Sequence, residues 1–194
     1  MSINKKLLTT LLNSPGISGK ENVISEILKK NIKKYKLELE SDNLGSVWGI
    51  KKSNNPKAKN VFIDAHMDEV GFIVSQINEK GLISFEALGG IWNKTLNSSR
   101  LRVWDRDFNK SFSGVVLFPE SSPHQGKGSA PEIDKMLLDI GASSKKEVLK
   151  WGINIGQAIT FDTLAEFNGD RVISKSVDNR VGISMVIELM KFIS

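Results

Sequence analysis

The chain has 194 residues, of which 40% are hydrophobic and 25% are charged, and this suits one large folded domain or two small ones. It contains no cysteine, which excludes a disulfide framework and a thiolate metal site. Histidine and carboxylate side chains would therefore have to bind any metal. The net charge of +5 is modest. We interpret the lysines within residues 29–36 as the solvated side of a helix and expect no nucleic-acid partner.

The start of the chain mixes lysine and leucine without a long apolar core or a small-residue cleavage site. We therefore expect no signal peptide. No apolar run reaches the length of a membrane span, so we expect no membrane partner and a cytoplasmic location.

Two amphipathic helices are predicted first. Leucines recur at helical spacing within residues 3–12, and Pro15 and Gly16 then interrupt the pattern. Ser18 with Glu21 three residues later is typical of a capping box, and predicts a second helix that continues to about residue 35. Two strands, at residues 37–40 and 46–51, should follow, joined by a turn.

The apolar run at residues 61–63 predicts a buried strand, and four metal-capable side chains follow it directly: Asp64, His66, Asp68 and Glu69. The carboxyl end of a core strand is where an α/β sheet usually binds its ligands. His66 could bind a metal through one ring nitrogen while Asp68 accepts the proton on the other. The alternative is a strand end with solvated acids and one hydrogen-bonded histidine, and this stretch alone does not decide between them.

A β-rich block follows. Short apolar runs at residues 72–74, 82–85, 101–104 and 113–117 are separated by turn-like residues, which favours a small antiparallel barrel or sandwich. Further strands are predicted at residues 136–140, 159–164 and 171–174, and a short helix begins at the capping box of Ser144 and Glu147. His124 lies in a loop rich in glycine, serine and proline. We expect it to hydrogen-bond within that loop rather than to bind a metal.

The last predicted element is a helix with Val181, Met185, Leu189 and Ile193 in one apolar row, and with Val186 and Met190 beside it. Asp178 lies at its start. An aspartate there is most often a cap, and taken alone we prefer that interpretation, although its second oxygen could hold a cation.

Several motifs occur together in order, and together they resemble the tetrahedral aminopeptidases, which include glutamyl and deblocking aminopeptidases. They are residues 12–21 (LNSPGISGKE), 65–72 (AHMDEVGF), 87–90 (ALGG), 139–142 (DIGA) and 178–182 (DNRVG). The resemblance implies an α/β fold: a zinc-exopeptidase-like catalytic domain, incomplete at its C-terminus, at residues 1–71 and 162–194. It also implies an inserted small β-barrel domain at residues 72–161.

The same resemblance implies two divalent metal ions, zinc or cobalt, that activate water to release N-terminal residues from peptides. His66 then matches a ligand to one metal, and Asp68 matches the carboxylate that orients His66. Asp178 matches the carboxylate that bridges both metals. Asn179 departs from the family pattern, which usually has a second aspartate there.

Family members are expected to continue beyond residue 194 with the general base and further ligands. We therefore expect the chain to be inactive alone and to need a companion polypeptide or a homo-oligomer. Two alternatives stay open: a non-catalytic relic or assembly subunit and, more distantly, a glycosidase using Asp64, Asp68 and Glu69.

Overall fold

The computed structural model describes residues 3–118 and 132–194, and it confirms a mixed α/β fold with a small β-barrel inserted in the sequence. The chain divides into two compact units. One unit comprises Met1–Glu69 and Leu164–Ser194, and the other comprises Val70–Thr163. In chain order the elements are α1 (Lys5–Asn13), α2 (Asn22–Lys34), β1 (Glu38–Ser41), β2 (Val47–Ile50), β3 (Gly71–Ile77), β4 (Ile83–Leu88), β5 (Arg100–Trp104), β6 (Ser111–Leu117), β7 (Leu137–Asp139), α3 (Lys145–Lys150), β8 (Ala158–Phe161), β9 (Glu166–Asn168), β10 (Arg171–Ile173) and α4 (Val177–Ile193).

The first unit has a core made by one face of each of three helices, α1, α2 and α4. Its buried apolar residues are Leu11, Ile24, Leu28, Ile32, Leu37, Ile183, Ile187 and Met190. The pairs β1–β2 and β9–β10 are antiparallel, and Leu39 and Val47 of the first pair pack against this core. The core therefore fixes α4, and with it the segment in which Asp178 lies.

The side of α4 that meets the core is not centred on the predicted row, although Met190, predicted beside that row, is buried. The structure buries Ile183, Ile187 and Met190, whereas Met185 and Ile193 of the predicted row are exposed. The helix carries apolar residues on more than one side, so the spacing alone does not identify the side that meets the core.

The strand predicted at residues 61–63 is also wrong. Val61 and Phe62 have 81% and 83% of their surface exposed, and this segment pairs with no strand among the described residues. A short apolar run becomes a strand only where a neighbouring strand satisfies its backbone groups, and sequence does not show whether one is present.

The second unit is built around a closed antiparallel barrel. Among the described residues its strand order is β3-β4-β7-β6-β5-β8, and β8 closes the ring against β3. The interior is filled by residues from every strand, including Phe72, Phe85, Leu101, Val116, Leu138 and Ile159. Alternation along the strands accounts for this, since every second side chain points inward.

The two predicted capping boxes have opposite outcomes. Ser144 caps α3, because its Oγ accepts a hydrogen bond from the Glu147 N–H at 3.3 Å, as predicted. Ser18 does not cap α2, which begins at Asn22. Its hydroxyl instead donates to Asp68.

No helix in the described ranges is long and apolar enough to cross a membrane. His124 lies outside the described residues, so its predicted role stays a prediction.

Candidate functional site

His66 and Asp178 lie 112 positions apart in the chain, and the first unit brings their side chains together. The Nε2 atom of His66 is 3.0 Å from Oδ1 of Asp178, and its Nδ1 atom is 3.0 Å from Oδ1 of Asp68. These are the three residues singled out from the sequence. The roles assigned to them stay predictions, but the contacts are those that the assignment requires.

The second carboxylate oxygen of Asp68 is hydrogen-bonded as well. Its Oδ2 accepts a hydrogen bond from the Ser18 hydroxyl at 2.5 Å, which leaves Oδ1 for His66. The order of contacts is thus Ser18, Asp68, His66. This is not a nucleophile triad, because the hydroxyl bonds the carboxylate and not the imidazole. Asp68 instead fixes the orientation of the His66 ring.

Asp178 precedes the regular part of α4. Its backbone is non-helical (φ −85°, ψ 109°), as is that of Asn179, and the peptide bond between these two residues is cis. The Oδ1 atom of Asn179 accepts a hydrogen bond from the Gly182 N–H at 3.1 Å. Asn179 is therefore the side chain that caps the helix, and the cap interpretation of Asp178 is wrong. Asp178 is left exposed, with its carboxylate beside His66.

The ionisation of this group follows from its contacts. Burial opposes the proton on His66, but the hydrogen bonds to Asp178 and Asp68 outweigh it, so the pKa of His66 is raised. The hydrogen bond from Ser18 lowers the pKa of Asp68 against the effect of burial, and His66 lowers it further. Only an imidazolium donates from both ring nitrogens at once, so the two contacts of His66 favour its charged form in the absence of a metal.

The other acids near His66 have different surroundings. Asp64 is exposed, whereas the Glu69 side chain is buried against Lys175 and Arg180. No group of three or more His, Cys, Asp or Glu side chains within residues 3–118 and 132–194 is arranged to hold a metal ion. The described residues therefore offer a pair of donors, His66 and Asp178, rather than a complete metal shell.

Sequence reasoning missed three residues here: Ser18, Lys175 and Arg180. The spacing of Ser18 and Glu21 predicts a helix cap at Ser18, and no motif assigns a role to Lys175 or Arg180. The only available signal was their position, because Lys175 and Arg180 lie on either side of Asp178.

Residues 45–194 match the sequence profile of the family described as M42 glutamyl aminopeptidase. The chain belongs to this family. It is similar to the glutamyl aminopeptidase of Lactococcus lactis subsp. cremoris (strain MG1363), with 31% identity over 91% of this chain and 51% of that protein. The resemblance drawn from the sequence motifs is confirmed.

Solved structures agree with the M42 assignment. An aminopeptidase of the archaeon Desulfurococcus kamchatkensis, APDkam598, superposes with a TM-score of 0.88 at 31% identity, covering 96% of this chain and 51% of that one. The Pyrococcus horikoshii TET1 peptidase, described as assembling into a tetrahedron or a large octahedral shell, has a TM-score of 0.81 at 26% identity. That match covers 97% of this chain and 56% of the TET1 chain. The chain thus spans about half the length of the M42 relatives it matches.

Proposed function

We propose that this chain contributes part of the active site of a two-metal aminopeptidase, which releases N-terminal residues from peptides. The observation that carries the proposal is the contact of His66 with both Asp68 and Asp178. In a member of the M42 family, that contact joins a candidate terminal ligand, the carboxylate that orients it, and a candidate bridging ligand.

The donor geometry supports the metal part of the proposal. Two ligands on a tetrahedral zinc ion with bonds of ~2.0–2.1 Å are separated by ~3.3 Å, and His66 Nε2 and Asp178 Oδ1 are 3.0 Å apart. His66 would bind through Nε2, because Nδ1 already faces Asp68. Asp178 could contact two cations through its two oxygens, which a neutral imidazole cannot do. Zinc or cobalt suits this mixed nitrogen and oxygen donor set.

A pair of bound divalent metals would lower the pKa of a water and stabilise the charge that forms at a peptide carbonyl. The residues of this chain serve that chemistry by binding and orientation. With a metal bound, His66 would be neutral: its Nδ1–H would donate a hydrogen bond to Asp68, and the lone pair of Nε2 would be available to the metal. Ser18 keeps the other oxygen of Asp68 occupied, so that the carboxylate cannot rotate away from His66.

The described residues supply two donors, which is too few for two metal ions. We therefore propose that the general base and the remaining ligands come from outside the described residues, from a companion chain or a further segment. Homo-oligomer formation is part of the proposal, supported by the assemblies named for the TET1 peptidase. A cytoplasmic location and the lack of a nucleic-acid partner rest on composition alone.

The glycosidase alternative needs two carboxylates facing one sugar. The structure argues against it, because Glu69 is buried in an ion cluster and Asp68 is bonded to Ser18 and His66. No observation favours the relic alternative over the peptidase.

An aminopeptidase assay tests the activity. The purified 194-residue chain, loaded with Zn²⁺ or Co²⁺, is expected to release almost no amino acid from short peptides. Turnover should appear when polypeptide supplying the missing donors is added, and His66→Ala should abolish it. Robust turnover by the 194-residue chain alone, removed by a chelator, would contradict the proposed division of the site.

A further inference from the structure

Directly behind the site lies a buried ion cluster that the proposed chemistry does not use. Lys175 Nζ donates to both carboxylate oxygens of Glu69, at 2.8 Å and 2.6 Å, and an Arg180 terminal nitrogen lies 3.9 Å from Glu69. The exposed fractions of the three side chains are 2% for Glu69, 8% for Lys175 and 0% for Arg180. The cluster is thus shielded from water, unlike the candidate metal ligands.

The cluster ties both candidate ligands to one turn of the chain. Glu69, next to Asp68, bonds Gly16 twice: its backbone N–H donates to the Gly16 carbonyl at 2.8 Å, and its carboxylate accepts from the Gly16 N–H at 3.2 Å. Arg180 donates to the carbonyls of Leu11 and Gly16, at 3.1 Å and 3.3 Å. A side chain at Gly16 would place its Cβ 2.9 Å from a terminal nitrogen of Arg180, so a larger residue there would displace the guanidinium.

Asp178 is therefore held on both sides. Lys175 precedes it by three residues and Arg180 follows it by two, and both side chains reach Glu69 in the His66 segment. Asp178 itself has a side chain that is 94% exposed. The exposed Asp178 side chain gains little from packing, so these flanking contacts add to the core around α4 in fixing its position.

A contribution to fold stability is not enough to explain this cluster. It places two cations against one anion, and Nε of Arg180 has no hydrogen-bond partner among the described residues. Burial also raises the pKa of Glu69, despite the attraction of Lys175 and Arg180, and lowers the pKa of Lys175. Buried ions of this kind are often less stabilising than apolar residues of the same volume, and a role in fixing geometry is one reason to keep them.

We propose that Glu69, Lys175 and Arg180 are positioning residues, which hold the segments carrying His66 and Asp178 at the spacing that a shared metal ion requires. This inference rests on the proposed metal function. The cluster holds the two segments in their metal-binding arrangement before the metal binds, and none of the three residues needs to touch the metal.

Two properties of the 194-residue chain are measured for each variant. Calorimetry gives the Zn²⁺ affinity, and circular dichroism gives the unfolding midpoint. Lys175→Met keeps the length of the side chain, removes the contacts to Glu69 and leaves a balanced pair of Glu69 and Arg180. We expect it to lower the Zn²⁺ affinity about tenfold, the lower end of the range for losing a group bonded directly to a ligand, at a temperature where the variant remains folded. Lys191→Met makes the same change at an exposed position of α4 and should leave the affinity unchanged.

A second measurement needs no variant. Hydrogen exchange of the wild-type chain without metal should show the Glu69 N–H protected, since it donates to Gly16 in a preformed site. An unprotected Glu69 N–H that becomes protected only with Zn²⁺ would overturn the inference. An affinity of Lys175→Met within about twofold of the wild type would overturn it too.

Failure of the proposed function gives a different result. If the wild-type chain binds no Zn²⁺, or if His66→Ala binds it as tightly, the metal proposal fails and this inference fails with it. If Zn²⁺ binding is lost in His66→Ala but unchanged in Lys175→Met, the inference alone fails.

Discussion

Asp68 has one carboxylate oxygen on the Ser18 hydroxyl and the other on the His66 ring. A carboxylate held at both oxygens has little freedom to rotate, and the imidazole that it orients is correspondingly fixed. This matters because the His66 side chain is about half exposed and has few packing contacts to orient it. The precision of the candidate site at the residue level therefore depends on Asp68.

Replacing Asp68 by asparagine keeps its size but removes the negative charge that holds the Nδ1 proton. We expect Asp68→Asn to lower the Zn²⁺ affinity about 10–100-fold. Asp64→Asn is the matched control, because Asp64 lies two residues before His66, as Asp68 lies two residues after it, and is exposed. Titration calorimetry measures both, and equal affinities of the two variants would contradict a role for Asp68.

At the scale of the element, α4 depends on a single polar cap. Asn179 satisfies the Gly182 N–H, one of the free donors at the start of the helix. An aspartate, which is the usual residue at this position in the family, can accept the same hydrogen bond. The asparagine of this chain therefore keeps the cap.

We expect Asn179→Ala to destabilise the first unit by about 1 kcal/mol, the usual value of a lost cap. Asn179→Asp should retain the wild-type stability, since its carboxylate can accept the same hydrogen bond. Hydrogen exchange of the α4 amides, which reports on this unit separately, measures both. Wild-type protection in Asn179→Ala would show that the cap contributes nothing.

The barrel carries an ion cluster of its own at the end of β8. Asp162, whose side chain is 6% exposed, accepts hydrogen bonds from Ser113 at 2.5 Å and from Arg102 at 2.7 Å and 2.9 Å. Burial alone would raise the pKa of Asp162, but Ser113, Arg102 and Arg100 outweigh it and lower the pKa. The unfolded chain therefore binds this proton more readily than the folded barrel does.

A lowered pKa in the folded state adds stability that is fully present above the unfolded value of about 3.9 and is lost as the pH falls through the folded value. We expect Asp162→Asn to cost roughly 1–3 kcal/mol at pH 7, as loss of a charged hydrogen bond does. Below pH ~4 the variant should approach the wild type. Urea midpoints at pH 7 and pH 3 measure this, with Asp107→Asn on the exposed β5–β6 turn as control. A difference independent of pH would contradict it.

Prediction from sequence succeeded where the signal was local. The short strands of the second unit followed from apolar runs separated by turns, and α3 followed from the Ser144 capping box. That strand pattern left a barrel and a sandwich open, and the family resemblance implied the barrel. It failed where the outcome depended on distant partners. Residues 61–63 pair with no strand among the described residues, and Ser18 bonds Asp68, 50 positions away, instead of capping α2.

The residues of the candidate site also fall into those that the sequence could predict and those that it could not. His66, Asp68 and Asp178 could be named because their motifs resemble those of a known family. Lys175 and Arg180 could not, since nothing in the spacing of two basic residues shows that they meet Glu69 in the core. A buried charge is recognised only when the fold shows what surrounds it.

At the scale of the whole molecule, two features of the described residues agree with the proposal that the chain works with further polypeptide. The candidate centre offers two donors where two metal ions need more. Large apolar side chains of the first unit are also exposed, notably Val61, Phe62 and Met185. Adjacent apolar residues exposed in this way are typical of surfaces that bind another polypeptide.

The central claim is that His66 and Asp178 bind one metal ion together, and anomalous diffraction from a crystal grown with Zn²⁺ tests it most directly. The account predicts an anomalous peak at a bonding distance of ~2.0–2.2 Å from both His66 Nε2 and an Asp178 carboxylate oxygen. The same peak should be missing in His66→Ala crystals grown under the same conditions. Zinc found only at other sites, with the His66–Asp178 contact unchanged, would contradict the claim.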